Sequence, residues 1–215
     1  MNQDVQGKAS DRADLCRFLS ACYYEPTADL AEERVFDSML GAAAAVHPDL
    51  AEHVRKLGTA FAAQNLQELL VDYTRLFLGP VRALAMPYGS VWLSGDSTLM
   101  QDSTMAVLEF YERGGFDISE GFADLPDHVA VELEFLYLLL FTQDQANRGG
   151  KADDLAATRL LQREFLGEHL GAWIGAFAAS VKTHAETPFY RELVELTERF
   201  VRMETDALVI PARSG

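Results

Sequence analysis

The stretch that decides the fold runs from Phe122 to Phe141 and reads FADLPDHVAVELEFLYLLLF. A short polar segment opens it, and the run that follows is apolar almost all the way round a helix. A helix of that composition has no solvated face, so it lies inside a bundle or against another domain. Glu132 and Glu134 interrupt it, and it falls short of the roughly 20 apolar residues that a bilayer span needs. The stretch therefore predicts a central buried helix.

The residues ahead of the apolar run suggest how this helix begins. Asp124 is a good N-cap, and Pro126 is tolerated in a first turn because its missing N–H has no intrahelical partner there. Asp127 would then face the free amides and the positive end of the helix dipole. His128 and Glu132 are four residues apart, so they would share a face and could pair. Two interpretations stay open: a well-capped helix whose His and Glu satisfy each other, or a recognition site that holds charge at a fixed point.

Helical periodicity also runs through the rest of the chain, with no alternating strand pattern to compete with it. The predicted helices begin at or near Asp11, Leu30, Pro48, Asn65, Ser97, Leu170 and Thr187-Pro188. The fold class is therefore all-α, a single bundle of roughly nine or more helices. The polar segment 116–122 is a candidate hinge between an N-terminal half, 1–115, and a C-terminal half, 116–215.

The charge of the chain is strongly negative, with 33 acidic against 18 basic residues and a net charge of -15. This argues against a nucleic-acid partner, because binding one requires clustered Lys and Arg. It favours a basic partner, although an acidic surface also keeps a protein soluble. The start, MNQDVQGKAS, lacks the apolar core of a secretory signal, and no transmembrane segment is predicted. Cys16 and Cys22 neither bridge readily nor fit a metal spacing, so a reducing cytoplasm is expected, without stable membrane insertion.

The helical pattern breaks between Leu78 and Ser97. Three glycines and two prolines in this segment are expected to exclude a regular element. Loops this long inside a compact domain are usually functional or disordered, and this one is too aromatic for disorder. Trp92 either packs on the core and holds the loop in place, or it forms part of a binding surface.

Two parts of the chain resemble the TorD/DmsD family of molybdoenzyme-specific chaperones, the redox-enzyme maturation proteins, with their NarJ-like relatives. One part is an acidic residue, a proline and an Asp-His pair that lead into a helix, here Asp124, Pro126, Asp127, His128 and Glu132-Leu133-Glu134-Phe135. The other is a turn followed by a Ser-Val-aromatic step, here Phe77-Leu78-Gly79-Pro80, Pro87 and Ser90-Val91-Trp92. The family often has Glu-Pro-x-Asp-His in the first part, whereas here proline directly precedes Asp127. This departure bears on Asp124 and Pro126 more than on Asp127 and His128.

The resemblance, which covers about residues 11–205, implies an all-helical chaperone whose partner is the catalytic subunit of a molybdopterin-dependent oxidoreductase. Members bind the twin-arginine signal peptide of this client and delay its export until the cofactor is inserted. Such a peptide has a basic end and an apolar segment, so its site should combine carboxylates with an apolar groove. We expect Asp127 to contact the arginines, aided by Glu132 and oriented by His128. The remaining expected site residues receive the apolar segment or complete the site: Trp92, Val91, Leu93, Tyr88, Ser90, Pro87, Pro126 and Asp124. On this view Asp127→Ala weakens peptide binding with little loss of thermal stability.

The sequence contains no His-Glu-x-x-His, cysteine pair, nucleophile elbow or dinucleotide glycine fingerprint, so we expect a binder without a resident cofactor and not an enzyme. Two alternatives stay open. Some family members are reported to bind GTP, for which Gly149-Gly150-Lys151 is the place to look, although it lacks the other elements of a phosphate loop. The second alternative is an acidic helical scaffold without a peptide site. The sequence leaves open which molybdoenzyme is served, whether GTP or the molybdenum cofactor binds directly, and whether the chain is a monomer or a domain-swapped dimer.

Overall fold

The computed structural model of the protein describes residues 2–32, 34–79, 83–93, 102–117 and 124–209, with the side chains of all of these except 2–10, 31, 32 and 209. Its helices are α1 (Asn2–Ala21), α2 (Asp29–Glu32), α3 (Val35–Val46), α4 (Pro48–Ala62), α5 (Leu66–Tyr73), α6 (Gly89–Leu93), α7 (Asp102–Gly114), α8 (Val129–Arg148), α9 (Ala152–Glu168), α10 (Leu170–His184) and α11 (Pro188–Val209). A π-helical turn, Thr74–Leu78, continues α5. Because these ranges contain no β-strand, the all-α class is confirmed.

Helix α8 is the centre of the bundle, as its composition predicts. Most of its face is buried, whereas Glu134, Tyr137 and Leu138 are half-buried and Phe141 is exposed. The buried positions include Val129, Val131, Leu133, Phe135, Leu136, Leu139 and Leu140. Helix α1 lies along one side of it, where the Cys16 thiol donates to the carbonyl of Leu133 at 3.2 Å and the Ser20 hydroxyl donates to that of Ala130 at 3.0 Å. Helix α9 covers another side, with the rings of Phe135 and Phe165 packed edge to face at 4.9 Å.

Helices from the two ends of the sequence meet. The guanidinium of Arg12 in α1 forms an ion pair with Glu204 in α11, whose side chain is 1% exposed. Just after α1, the Tyr23 hydroxyl donates to Oγ1 of Thr197 at 2.8 Å. Gln162 of α9 also donates to Glu204, at 3.0 Å. Within the described residues α1 packs mainly on α8 and α3, and Glu204 links α11 to both α1 and α9.

The predicted N- and C-terminal halves are in extensive contact. Besides α1 on α8, helix α4 packs on α11, where His53 lies 3.2 Å from Glu192 and Arg199 lies 3.0 Å from Asp49. Most of the candidate hinge, 118–122, lies outside the described residues, so the hinge stays a prediction. No helix in the described part of the chain is long and apolar enough to cross a membrane.

Local helix signals gave mixed results. Asn65 does cap α5, since its side chain accepts from the Glu68 amide at 2.9 Å. The Glu68 carboxylate in turn accepts from the Asn65 amide at 3.0 Å. Pro188 does open α11. Ser97, the expected cap of α7, lies outside the described residues. The expectation that the segment 78–97 excludes regular structure was wrong at Gly89–Leu93, which form α6.

Candidate functional site

Helix α8 begins later than its sequence suggests. It starts at Val129 with His128 as N-cap, and Nδ1 of His128 accepts from the Ala130 amide at 3.1 Å. The expectation that Asp124 caps this helix was wrong, because Oδ1 of Asp124 accepts instead from the adjacent Leu125 amide at 2.9 Å. Asp124 therefore stabilises a separate turn ahead of the helix.

Pro126 precedes α8 and does not lie in its first turn, so that part of the expectation was also wrong. The carbonyl of Pro126 accepts a hydrogen bond of 2.6 Å from the Tyr111 hydroxyl of α7. Tyr111 is 2% exposed, and burial first, then the nearby carboxylates of Glu132 and Asp127, raises its pKa well above the ordinary value. The hydroxyl is therefore a dependable donor, and it fixes the turn to the bundle.

The segment that leads into α6 runs alongside the turn that leads into α8. The Gly89 amide donates to the carbonyl of Asp127, and the Val129 amide donates to that of Pro87, both at 2.8 Å. The Ser90 amide donates to Oδ2 of Asp127, also at 2.8 Å. These bonds bring together two sets of residues that the sequence places far apart, so the two motifs of the family resemblance lie side by side. The predicted site residues on the two sides of this pairing are Pro87, Tyr88 and Ser90 on one and Pro126, Asp127 and His128 on the other.

Asp127 lies beneath α6, with 1% of its surface exposed. Its Oδ2 accepts from the Ser90 amide, and its Oδ1 makes no hydrogen bond within the part of the chain that the structure describes. In this arrangement the carboxylate faces the bundle and fastens α6 to α8. Because Asp127 is 1% exposed, an arginine from outside reaches it only if the residues around it move.

Glu132 does not pair with His128, which corrects the expectation from their spacing. Glu132 is 0% exposed, and its Oε2 accepts from Nε1 of Trp173 in α10 at 3.1 Å. Burial raises the pKa of Glu132 well above its ordinary value. Nε2 of His128 points the other way and lies 3.8 Å from Oδ2 of Asp124. The two side chains diverge because each finds a partner from a different part of the fold.

The exposed polar side of the site is formed by Asp124, whose side chain is 33% exposed. The Tyr88 hydroxyl donates to Oδ1 of Asp124 at 2.7 Å. The ring of His128 lies between Tyr88, edge on at 5.2 Å, and Tyr24, stacked at 6.2 Å. Desolvation lowers the pKa of His128 below its ordinary value of 6.5, so at neutral pH the ring is uncharged.

The apolar side of the site is α6. Val91, Trp92 and Leu93 are all half-buried. Nε1 of Trp92 donates to the carbonyl of Met86 at 2.9 Å, and its ring packs edge to face on Phe177 at 6.2 Å. Trp92 therefore anchors α6 on α10 and leaves part of its ring uncovered.

Several residues of this site were missed by sequence reasoning. Tyr24, Tyr111 and Trp173 contact the predicted residues through hydrogen bonds or ring packing, yet each lies in a distant segment. Gly89 is also required, because a Cβ there would lie 2.9 Å from Nε1 of Trp173 and 3.0 Å from Oε1 of Glu132. A glycine in an irregular segment was the one available signal, and only the fold shows what approaches it.

The loop considered for GTP is a simple helix connection. Gly149 caps the end of α8, and Gly150 takes the left-handed backbone with φ of 66°. Nζ of Lys151 lies 3.5 Å from Asp154 at the start of α9. Nothing in this geometry resembles a phosphate cradle.

Comparison with known proteins identifies relatives along the whole chain. The family model described as "Nitrate reductase delta subunit" matches residues 43–179. A chaperone protein TorD from Photobacterium profundum is 30% identical, over 75% of this chain and 76% of its own. A Tat proofreading chaperone DmsD from Salmonella paratyphi A is 29% identical, over 94% of this chain and 92% of its own.

A solved structure agrees in fold. The crystal structure of a candidate redox enzyme maturation protein from Archaeoglobus fulgidus matches with a TM-score of 0.54 and 18% identity, covering 90% of this chain and 93% of that one. None of the descriptions of these matches mentions a nucleotide, so they lend no support to the GTP hypothesis.

Proposed function

The chain belongs to the TorD/DmsD family of molybdoenzyme maturation chaperones, and from this premise we propose that it binds the twin-arginine signal peptide of a molybdopterin oxidoreductase catalytic subunit. It holds the apo form of this client in the cytoplasm while the cofactor is inserted, and it delays export until then. The protein makes and breaks no covalent bond in this role.

The observation that carries the proposal is the pairing of segment 87–90 with segment 127–129. It places the half-buried side chains of α6 beside a turn that presents Asp124 to solvent. A signal peptide with a basic end and an apolar segment needs an anionic contact and an apolar contact at a short, fixed distance. Trp92 and Asp124 are suited to these two roles.

The charge of the chain supports the same kind of partner. A net charge of -15 attracts a basic peptide over long range and accelerates its association. This attraction is screened by salt over a Debye length of about 8 Å at physiological ionic strength. Association with the peptide should therefore slow as salt is added.

Asp127, which we expect to meet an arginine, has a second role in the proposed site. It holds α6 to the turn ahead of α8 through the Ser90 amide, and its Oδ1, which makes no hydrogen bond within the described residues, is the acceptor for an arginine. Glu132 and His128 act from within the bundle: Glu132 fixes Trp173, and His128 caps α8. Pro87 contributes a backbone carbonyl to the pairing, and Pro126 contributes one to Tyr111.

Calorimetry with three synthetic peptides tests the proposal. The first carries adjacent arginines followed by an apolar segment, the second replaces both arginines with lysine, and the third keeps the composition of the first in scrambled order. We expect the first to bind and the other two to bind at least about tenfold more weakly. Lysine lacks the bidentate fork of arginine, and the scrambled order separates the basic end from the apolar segment. Equal binding of all three, or of none, would identify an acidic scaffold without a peptide site.

A further inference from the structure

Two buried carboxylates, those of Asp127 and Glu132, lie beneath α6. Asp127 is 1% exposed and Glu132 is 0% exposed. The first residues of α6 touch both of them. The Ser90 amide donates to the Asp127 carboxylate at 2.8 Å, and a Cβ on Gly89 would lie 3.0 Å from Oε1 of Glu132. We call these two side chains the buried acid pair.

Each carboxylate of the buried acid pair has one oxygen that makes no hydrogen bond within the described residues. These oxygens are Oδ1 of Asp127 and Oε1 of Glu132. The other two oxygens accept from neutral donors, namely the Ser90 amide and, at 3.1 Å, Nε1 of Trp173. An ionised carboxylate in a buried place needs several hydrogen bonds or a countercharge. The donors present are therefore too few for two negative charges.

The side chains around the buried acid pair supply no positive charge. No Lys or Arg forms an ion pair with either carboxylate among the residues that the structure describes. Burial raises the pKa of Tyr111 in α7 well above its ordinary value. Burial also lowers the pKa of His169, between α9 and α10, against the opposing effect of the Asp127 charge. Both groups are thus neutral at pH 7. The other titratable groups near this end of α8 form their contacts elsewhere: Cys16, Tyr24, Glu134 and His128.

Two neighbouring carboxylates without a cation do not both ionise readily. Burial has the largest effect on Glu132 and raises its pKa well above the ordinary value; the charge of Asp127 adds to this, while the Trp173 bond opposes it. Glu132 is therefore the member of the pair that holds a proton at neutral pH. A positive charge placed beside it would favour its ionised form.

We propose that a cationic partner bound at Asp127 causes Glu132 to release one proton to the solvent. This inference rests on the proposed function, in which the cation is an arginine of the signal peptide, and it adds a proton to the binding equilibrium. The arginine itself stays protonated. The complex then holds one proton fewer than the free protein and peptide, so the affinity rises with pH, by up to about tenfold per pH unit.

Calorimetry of peptide binding counts this proton. The probe is a peptide with adjacent arginines followed by an apolar segment, acetylated at its N-terminus so that no amine titrates near neutral pH. Binding to the wild type is measured at pH 7.5 in phosphate, which ionises with little heat, and in Tris, which ionises with much heat. The slope of the observed enthalpy against the ionisation enthalpy of the buffer gives the number of protons released. We expect a release approaching one proton per bound peptide.

Glu132→Gln identifies the group that releases the proton. Glutamine keeps an oxygen that can accept from Trp173, but it cannot ionise. We expect this variant to release no proton and its Kd to be nearly independent of pH between 6 and 8, whereas the Kd of the wild type falls. Glu52→Gln, at an exposed position on α4, is the matched control and should behave as the wild type does. Thermal unfolding checks each variant, and the buffer series on the wild type decides the question if Glu132→Gln does not fold.

The outcomes separate this inference from the proposed function. If the wild type binds the peptide without releasing a proton, the proton coupling is overturned and the proposed function stands. The coupling is also overturned if Glu132→Gln releases as many protons as the wild type, because another group is then the source. If the peptide does not bind the wild type at all, both proposals fall. Proton release by the wild type and Glu52→Gln, but not by Glu132→Gln, supports both.

Discussion

The backbone amide of Ser90 donates to Oδ2 of Asp127 at 2.8 Å, and this bond joins α6 to the turn ahead of α8. Asp127 therefore has a structural task as well as a position in the proposed peptide site. The apolar surface of α6 and the acidic turn are held in register by a side chain that is itself 1% exposed.

Replacing Asp127 should affect stability and binding together, unlike the expectation from the sequence, because the bond from the Ser90 amide is seen only in the fold. Asp127→Ala leaves the buried Ser90 amide without its acceptor, which costs about 1–3 kcal/mol of unfolding free energy, and it loosens α6. Asp127→Asn keeps an oxygen acceptor and should retain most of the stability. Denaturant unfolding and peptide calorimetry on both variants separate the two effects. Loss of binding in both variants with unchanged stability would mean that Asp127 acts by its charge alone.

Glu132→Gln should change how stability depends on pH. Burial raises the pKa of Glu132 well above its ordinary value of 4.5. Between the unfolded and the folded pKa, the folded protein keeps a proton that the unfolded chain has released, so the stability of the wild type falls as pH rises. Glutamine has no such proton to lose and can keep the Trp173 bond. The unfolding free energy of the variant relative to wild type should therefore grow by up to about 1.4 kcal/mol per pH unit.

Denaturant unfolding at pH 5, 6, 7 and 8 measures this difference. Glu52→Gln, on an exposed position of α4, is the matched control. Parallel curves for wild type and Glu132→Gln would show that Glu132 is ionised in the folded protein throughout this range.

Gly89→Ala should destabilise the site from within. The new methyl group would lie 2.9 Å from Trp173 and 3.0 Å from Glu132, so α6 must shift or their hydrogen bond must break. We expect a loss of about 1–3 kcal/mol of unfolding free energy, typical of overpacking, together with weaker peptide binding. Gly41→Ala is the control: nothing lies within 4 Å of its added Cβ, and alanine there in the interior of α3 should stabilise by about 0.5–1 kcal/mol. A neutral effect of Gly89→Ala on both measurements would contradict the close packing of α6.

Asp72 provides a buried carboxylate with a purely structural role. It accepts from Arg75 at 2.8 Å and from the amide and hydroxyl of Thr187, both at 2.7 Å, so it ties α5 to the start of α11. Arg75 keeps Glu186 and the His184 carbonyl as partners, but Asp72→Ala leaves the buried Thr187 amide and hydroxyl without their acceptor and should cost about 1–3 kcal/mol for each. The exposed pair of Asp37 and Arg34 is the comparison, since Asp37→Ala should cost less than about 1 kcal/mol. Peptide binding measured below the unfolding temperature should be unchanged in both variants, and a selective loss in Asp72→Ala would link this carboxylate to the site.

Periodicity and composition were enough to predict the fold class and the burial of α8, because a helix without a polar face is stable only where other elements cover it. Cap chemistry worked at Asn65 and Pro188, where the partners are neighbours in sequence. It failed at Asp124, because His128 caps the helix instead and Asp124 accepts from the Leu125 amide and the Tyr88 hydroxyl. The start of a helix is decided by such competition, which the local sequence does not show.

The site was predicted only in part for the same reason. Spacing predicted a pair of His128 and Glu132, but Glu132 instead accepts a hydrogen bond from Trp173, which lies in α10. Both sides of the pairing between segments 87–90 and 127–129 were expected to be site residues from the family resemblance, whereas Tyr24 and Tyr111 carry no local signal. A side chain that acts by facing a distant carboxylate is found only when the fold brings the two together.

The contact of α1 with α11 has a consequence for the synthesis of the protein. Arg12 and Tyr23 find their partners only at Glu204 and Thr197, so most of the chain must leave the ribosome before the first helix is fully covered. Contacts between residues this distant in sequence form slowly, and the apolar surfaces of α1 and α8 stay open to aggregation meanwhile. A chaperone for unfinished proteins thus completes its own fold only after α11 has been synthesised.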